Sequence, residues 1–210
     1  MNDMQQIIEL RERVVAEMSP KRARHTLAVE QMAARLAALY CPEKEQMLRT
    51  AALLHDVTKE WKTEQHAAFL SAHGIEPTAL DLAAPKTLHA RTAALLIPEQ
   101  YPAYASDEVI SAVRYHTTGR EGMTLTEQIV YLADYIDDSR TFPDCVTLRN
   151  AFWGSNPEGM TQSEREKHLC RVLVQSFDMT IAGLIEDGAP VSPDTFSARN
   201  DLILKLKIEK

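Results

Sequence analysis

The amino-acid sequence predicts an all-α fold, and three observations predict it. The long segments are rich in Ala, Leu, Glu, Gln, Arg and Met, all good helix formers. Glycine is sparse, with 7 in 210 residues, and the period-2 alternation of strands is scarce. Helix start signals recur: Ser19-Pro20, Ser106 ahead of Asp107-Glu108, and the capping boxes Thr124–Glu127 and Thr161–Glu164. Together they give a bundle of about ten helices.

The first helix is expected over Asp3–Met18, with Ile7, Ile8, Leu10, Val14 and Val15 as its apolar stripe. Ser19-Pro20 starts a second over Lys21–Tyr40, carrying His25 in its first turns. A third follows Pro42, presents Met47, Leu48, Ala51, Ala52 and Leu54, and ends near Thr58. Further helices are expected over Glu64–Ala72, over Thr87–Ile97 with Pro98 as the stop, and from Ser106 to Gly119. Thr124 opens a helix bearing Asp134 among apolar neighbours, Thr161 opens a long one to about Glu186, and the last covers Thr195–Ile208. The stretch Thr141–Pro157 reads as loop.

At 210 residues the chain reads as one domain over 1–210, its core at about 19–149 with C-terminal helices 161–210 packed on it. Composition is that of a globular protein, 45% hydrophobic and 25% charged. A net charge of −7 argues against a general nucleic-acid or anionic-membrane surface. Cys41, Cys145 and Cys170 are far apart and lack CxxC spacing, which argues against disulfides or a thiolate zinc site and fits a reducing cytoplasm. There is no apolar run of membrane-spanning length and no signal segment. Apolar positions on the C-terminal helices serve equally as core or as a homodimer interface.

Polar residues in apolar settings draw the functional reading. His55-Asp56 follows Leu53-Leu54, and Asp134 lies within Ile129–Ile136. Burying such groups is costly unless they are paired or bind a metal. Alone, His55-Asp56 reads first as a core histidine beside a capping aspartate. With His25 and Asp134 it makes a mixed nitrogen/oxygen set from three helices, suited to a first-row divalent metal with open positions.

The order His25, His55-Asp56, Asp134 resembles the HD-domain superfamily of metal-dependent phosphohydrolases. A narrower resemblance lies in Lys86-Thr-Leu-His89-Ala, in Ala112-Val-Arg-Tyr-His116-Thr-Thr-Gly-Arg120 with Met123, and in Tyr131-Leu-Ala-Asp134-Tyr-Ile with Ser139-Arg140. These are similar to the YqeK-type subfamily. The resemblance implies symmetrical hydrolysis of diadenosine tetraphosphate to two ADP, with water activated by a metal attacking phosphorus. It implies iron as the metal, although manganese, cobalt or zinc suit the same ligands. It also implies that His25, His55, Asp56 and Asp134 are metal ligands, of one ion in preference to two; with a second ion, His89 and His116 would be the extra ligands. His89, His116, Thr117 and Arg140 would then hold the phosphates, with His25, Asp56 and Asp134 also close to the nucleotide. His89, His116 and Asp56 would be the catalytic groups, one protonated histidine acting as general acid. A helix C-terminus at His116 would favour that imidazolium. Lys59 would add a point charge.

One departure is visible. Asp137-Asp138 stands where the subfamily is associated with a glutamate-proline pair, and losing the proline is expected to lengthen the helix before Arg140. The basic run Lys21, Arg22, Arg24 reads as a solvated face in preference to a phosphate funnel. His66 and His73 read as surface or packing residues, and His168 as surface. Trp61 reads equally as an adenine stacker or a packed edge aromatic, and Trp153 receives no role. Two rival functions stay open: another HD-domain nucleotide phosphohydrolase, and a non-enzymatic nucleotide-binding regulator.

Overall fold

The computed structural model describes residues 3–208, which contain eleven α-helices and four short 3-10 helices, with no strand among the described residues. In chain order these are α1 (Asp3–Ala16), α2 (Pro20–Tyr40), α3 (Glu45–Leu54), α4 (Thr63–Ala72), α5 (Ala79–Ala83), α6 (Leu88–Gln100), α7 (Asp107–Tyr115), α8 (Leu125–Ile136), α9 (Pro143–Gly154), α10 (Gln162–Glu186) and α11 (Pro193–Ile208). The expected caps are present. Ser19 Oγ accepts from Arg22 N at 3.3 Å with Pro20 at the first helical position, Ser106 caps α7, and both capping boxes close reciprocally.

Helix α3 lies at the centre, packed by α1, α2, α7 and α8. Leu48, Ala51, Ala52, Leu53 and Leu54 are fully buried on it. Truncating any of those leucines to alanine costs roughly 2–5 kcal/mol, because the lost transfer energy and the residual cavity add. Residues of α8, α9, α10 and α11, among them Ile129, Phe152, Phe177 and Leu202, join the same buried cluster. The turn after α3 therefore delivers His55 and Asp56 into the interior.

A buried ionic knot joins the first three helices. Glu30 of α2, 1% exposed, receives Arg11 Nη2 at 2.7 Å, Arg11 Nε at 3.0 Å and Arg49 Nη1 at 2.9 Å. Near the site, Gly119 takes a left-handed φ of 63°, and a β-carbon there would fall 2.6 Å from Phe177 Cζ. Only glycine fits this turn.

Four expectations about elements need correction. The stretch 141–157 contains α9, whose buried face is Cys145, Leu148 and Phe152. Its punctuating Pro143 and Gly154 mark the helix ends and not a loop. Helix α6 runs through Pro98 to Gln100, since an exposed proline in the last turn removes one hydrogen bond and clashes little. Helices α3 and α7 stop at Leu54 and Tyr115, several residues early, leaving His55 and His116 as their C-caps. Helix α8 ends at Ile136 and is not lengthened. Asp137 is extended, and its carboxylate accepts from Ser139 N at 2.8 Å, an aspartate turn that stops the helix.

Candidate metal and phosphate site

Five elements aim polar side chains at one point. Helix α2 supplies His25, the turn after α3 supplies His55 and Asp56, the first turn of α6 supplies His89, the end of α7 supplies His116, and the last turn of α8 supplies Asp134. His55, His89 and His116 share one local device. Each Nδ1 donates to the carbonyl three residues back: His55 to Ala52 at 2.6 Å, His89 to Lys86 at 2.7 Å, His116 to Val113 at 2.7 Å. That bond fixes the ring orientation and turns Nε2 towards the site. His25 is held from outside, its Nδ1 lying 3.3 Å from Asp137 Oδ2. This carboxylate–imidazole arrangement is typical behind a metal-binding histidine.

The inward atoms crowd without bonding to each other. His25 Nε2 lies 2.9 Å from Asp134 Oδ1 and 3.7 Å from Asp56 Oδ2. His55 Nε2 lies 3.3 Å from Asp56 Oδ2 and 3.7 Å from Asp134 Oδ1. Yet His25 Nε2, His55 Nε2 and Asp56 Oδ1 are buried and lack a hydrogen-bond partner, because their directions miss one another. Orphaned buried polar atoms are rare and costly. Converging on a common point, they fit a cation. Two donor sets satisfy that geometry, His25 with His55 and Asp134, and His55 with Asp56 and His116. The second brings in His116, which the sequence gives as a phosphate contact or, with a second ion, as an extra ligand.

The charges agree with this. Burial would raise the Asp56 carboxyl, but the surrounding His55, His116 and His89 hold it well below the usual carboxylate range. Against the same burial, Arg140, His25 and His55 do so for Asp134. Burial lowers the His55 imidazole, yet Asp56 and Asp134 outweigh it and push the value up to about 10. His89 and His116 go the other way. Burial pulls His89 down to about 3 and lowers His116. The imidazolium expected at the end of α7 is therefore not held by this pocket, since desolvation exceeds the helix-end charge.

The remaining candidates gather around this centre. His89 Nε2 is 3.0 Å from His116 Nε2 and 3.2 Å from Asp56 Oδ1. Lys59 Nζ donates to His89 Nε2 at 3.1 Å and stands 4.0 Å from Asp56 Oδ1. Arg140 bonds the Asp134 carbonyl and carboxylate, with Asp137 Oδ2 at 3.3 Å. A cleft of about 450 Å3 opens beside them, lined by Lys59, His116, Thr117, Asp134 and Arg140 and walled by Tyr135, Thr180 and Leu184. Thr117 Oγ1 is buried with no partner.

Sequence reasoning missed two residues and misplaced a third. Asp137 is fully buried behind His25 and Arg140, and its signal was the carboxylate standing where a glutamate was expected. Arg22, read as part of a solvated face, bonds Asp56. Its spacing three residues before His25 puts it on the same side of α2. His168 is buried, with Nε2 3.0 Å from the Phe152 carbonyl, and is not on the surface. His66 is a buried packing residue, its Nδ1 2.9 Å from Thr92 Oγ1.

The HD domain profile matches residues 22–138. The chain belongs to the HD-domain family. Within that family, a protein of Bacillus subtilis named bis(5'-nucleosyl)-tetraphosphatase, symmetrical, is 30% identical over 190 residues, 90% of this chain and 94% of its own. A protein of the same name from Halalkalibacterium halodurans is 30% identical over 92% of this chain and 95% of its own. A crystal structure from Clostridium acetobutylicum, described as a predicted HD superfamily hydrolase involved in NAD metabolism, aligns with a TM-score of 0.78 at 31% identity, covering 94% of this chain and 96% of that one. The profile spans His25, His55, Asp56 and Asp134 but stops before Arg140. Among the described residues no helix of this HD-domain chain is long and apolar enough to cross a membrane.

Proposed function

We propose that this chain hydrolyses diadenosine tetraphosphate symmetrically, releasing two ADP. The reading rests on the unpartnered His25, His55 and Asp56 atoms converging beside a phosphate-seeking cleft, in a chain similar along most of its length to symmetrical tetraphosphatases. His25, His55, Asp56 and Asp134 would hold one divalent ion, iron in this reading. Such an ion polarises phosphoryl oxygens and lowers the pKa of a nearby water from 15.7 towards roughly 7.

The chain's own residues do the rest. Arg140 and Lys59 neutralise the polyphosphate, Arg140 with a planar fork and Lys59 as a point charge. Thr117 Oγ1 gains in the phosphate the partner it lacks. Asp56 Oδ1, also without a partner, orients the attacking water. The water oxygen bonds to phosphorus, the central bridging P–O bond breaks, and ADP departs with that electron pair. The Nδ1 protons of His89 and His116 are committed to backbone carbonyls, so the phosphate's negative charge raises their pKa and draws a solvent proton onto Nε2; one imidazolium gives that proton to the departing oxygen and is restored by the proton the attacking water releases. The same reading takes 1–210 as a single domain acting in the cytoplasm without nucleic acid.

Chromatography of products from the metal-loaded protein tests this. ADP alone is expected. AMP with ATP, or no turnover, overturns it. A substrate panel that includes nicotinamide dinucleotides separates the rival suggested by the Clostridium description. Elemental analysis of freshly purified protein tests iron.

A further inference from the structure

The basic run that the sequence left as a solvated face lies beside the site. A second cleft, of about 210 Å3, opens between the start of α2 and residues 139–142. Lys21, Arg22, Arg24, Ser139, Arg140 and Phe142 line it, and no lining residue is a carboxylate. In a chain with a net charge of −7, a wall with cations and no carboxylate selects for anions. Lys21 and Arg24 are exposed and make no ion pair among the described residues, so both are free for a ligand. Arg140 lines this cleft and the larger one alike, so the two meet at the metal-ligand cluster.

Phe142 supplies the second half of a nucleotide site. It caps α9, is 66% exposed as a residue, and has no ring neighbour among the described residues. Exposed rings beside a basic groove are stacking platforms for bases. Trp61, the aromatic named from sequence, is already committed to His66 at 5.6 Å and Phe69 at 5.3 Å.

We infer that the Lys21–Arg24 wall and Phe142 form the subsite for the second nucleotide half of the substrate, across the metal-ligand cluster from the larger cleft. This rests on the proposed hydrolysis of a dinucleoside polyphosphate. Cutting such a chain at its centre requires grip on both sides of the scissile bond. The larger cleft takes one nucleoside diphosphate unit. Lys21 and Arg24 take the phosphates of the other, Arg22 being bound to Asp56, and Phe142 stacks its base.

The test compares two ligands on metal-loaded protein by calorimetry: a methylene-bridged, uncleavable diadenosine tetraphosphate and ADP. Phe142→Ala should weaken the dinucleotide analogue about tenfold, in the range one base–aromatic stack supplies, and leave ADP unchanged. Phe142→Tyr should restore it. The double variant Lys21→Ala, Arg24→Ala should flatten the salt dependence of analogue binding and leave that of ADP as it was. Equal loss for both ligands, no loss for either, or an analogue binding no tighter than ADP to the unaltered protein overturns the subsite. Product analysis reads the hydrolysis separately. A protein that makes no ADP but shows the analogue-specific loss retains the subsite and loses the proposed reaction.

Discussion

The protein buries two acidic centres, Glu30 on α2 and the Asp56–Asp134 cluster that meets His25 of the same helix, and they are built to opposite rules. At Glu30, each carboxylate oxygen accepts from arginine, with Arg11 and Arg49 as donors. At Asp56 and Asp134, histidine nitrogens and carboxylate oxygens lie as close together, yet His25 Nε2, His55 Nε2 and Asp56 Oδ1 remain without hydrogen bonds. A buried charge whose partners are complete holds helices together. A buried cluster whose atoms crowd a point and miss one another is shaped for something else to occupy that point.

Substitutions should separate the two centres. His55→Ala and Asp134→Ala are expected to abolish turnover and metal retention together, read by product assay and elemental analysis; a variant that keeps its metal breaks the assignment. Glu30→Gln should do the reverse, costing roughly 1–3 kcal/mol in denaturant unfolding, because part-exposed Arg11 and Arg49 lose charge-assisted hydrogen bonds but keep access to water. Its metal content and turnover below the melting temperature should match the parent protein. Asp137→Asn tests the support behind His25, and should weaken metal affinity roughly 10–100-fold by chelator competition.

The protonation states give a finer test. A metal must displace the proton on His55, whose imidazole Asp56 and Asp134 push up to about 10 against the lowering effect of burial. Metal affinity should therefore fall about tenfold for each pH unit below that value, per proton released. Calorimetry in buffers of different ionisation enthalpy should show the proton; its absence contradicts a charged His55. The sign for ion-free stability follows from the same shift. The His55 contribution is complete below its unfolded value near 6.5 and disappears as pH rises through about 10. Asp56 and Asp134, held low, contribute above the ordinary carboxylate range and lose that contribution as pH falls through their folded values. The smallest effect should be Ser19→Ala, which removes the α2 cap and costs about 1 kcal/mol of thermal or denaturant stability without changing the metal site.

Much of the fold was legible because its signals are local. Ser19-Pro20, Thr124–Glu127 and Thr161–Glu164 satisfy helix-end donors within four residues, so the sequence alone places those starts. Helix α9 was not legible, since its stripe of Cys145, Leu148 and Phe152 is short and set among proline and glycine. The early ends of α3 and α7 were also hidden. They are fixed by where His55 and His116 must point, which depends on helices far away in the chain.

The candidate site divides in the same way. An imidazole and carboxylates placed in apolar runs mark His55, Asp56 and Asp134 as residues needing a partner, because the cost of burying them is a property of the side chain. Their identity and order, with His25, His89, His116, Thr117 and Arg140, could be read along the chain. What tertiary structure alone decided is direction. The bonds from His55, His89 and His116 to carbonyls three residues back turn the other nitrogen inward. Asp137 is set behind His25, Arg22 is drawn onto Asp56, and desolvation leaves His89 and His116 neutral. Residue type sets which partners a buried group requires, whereas distance, angle and exclusion of water arise only when the helices pack.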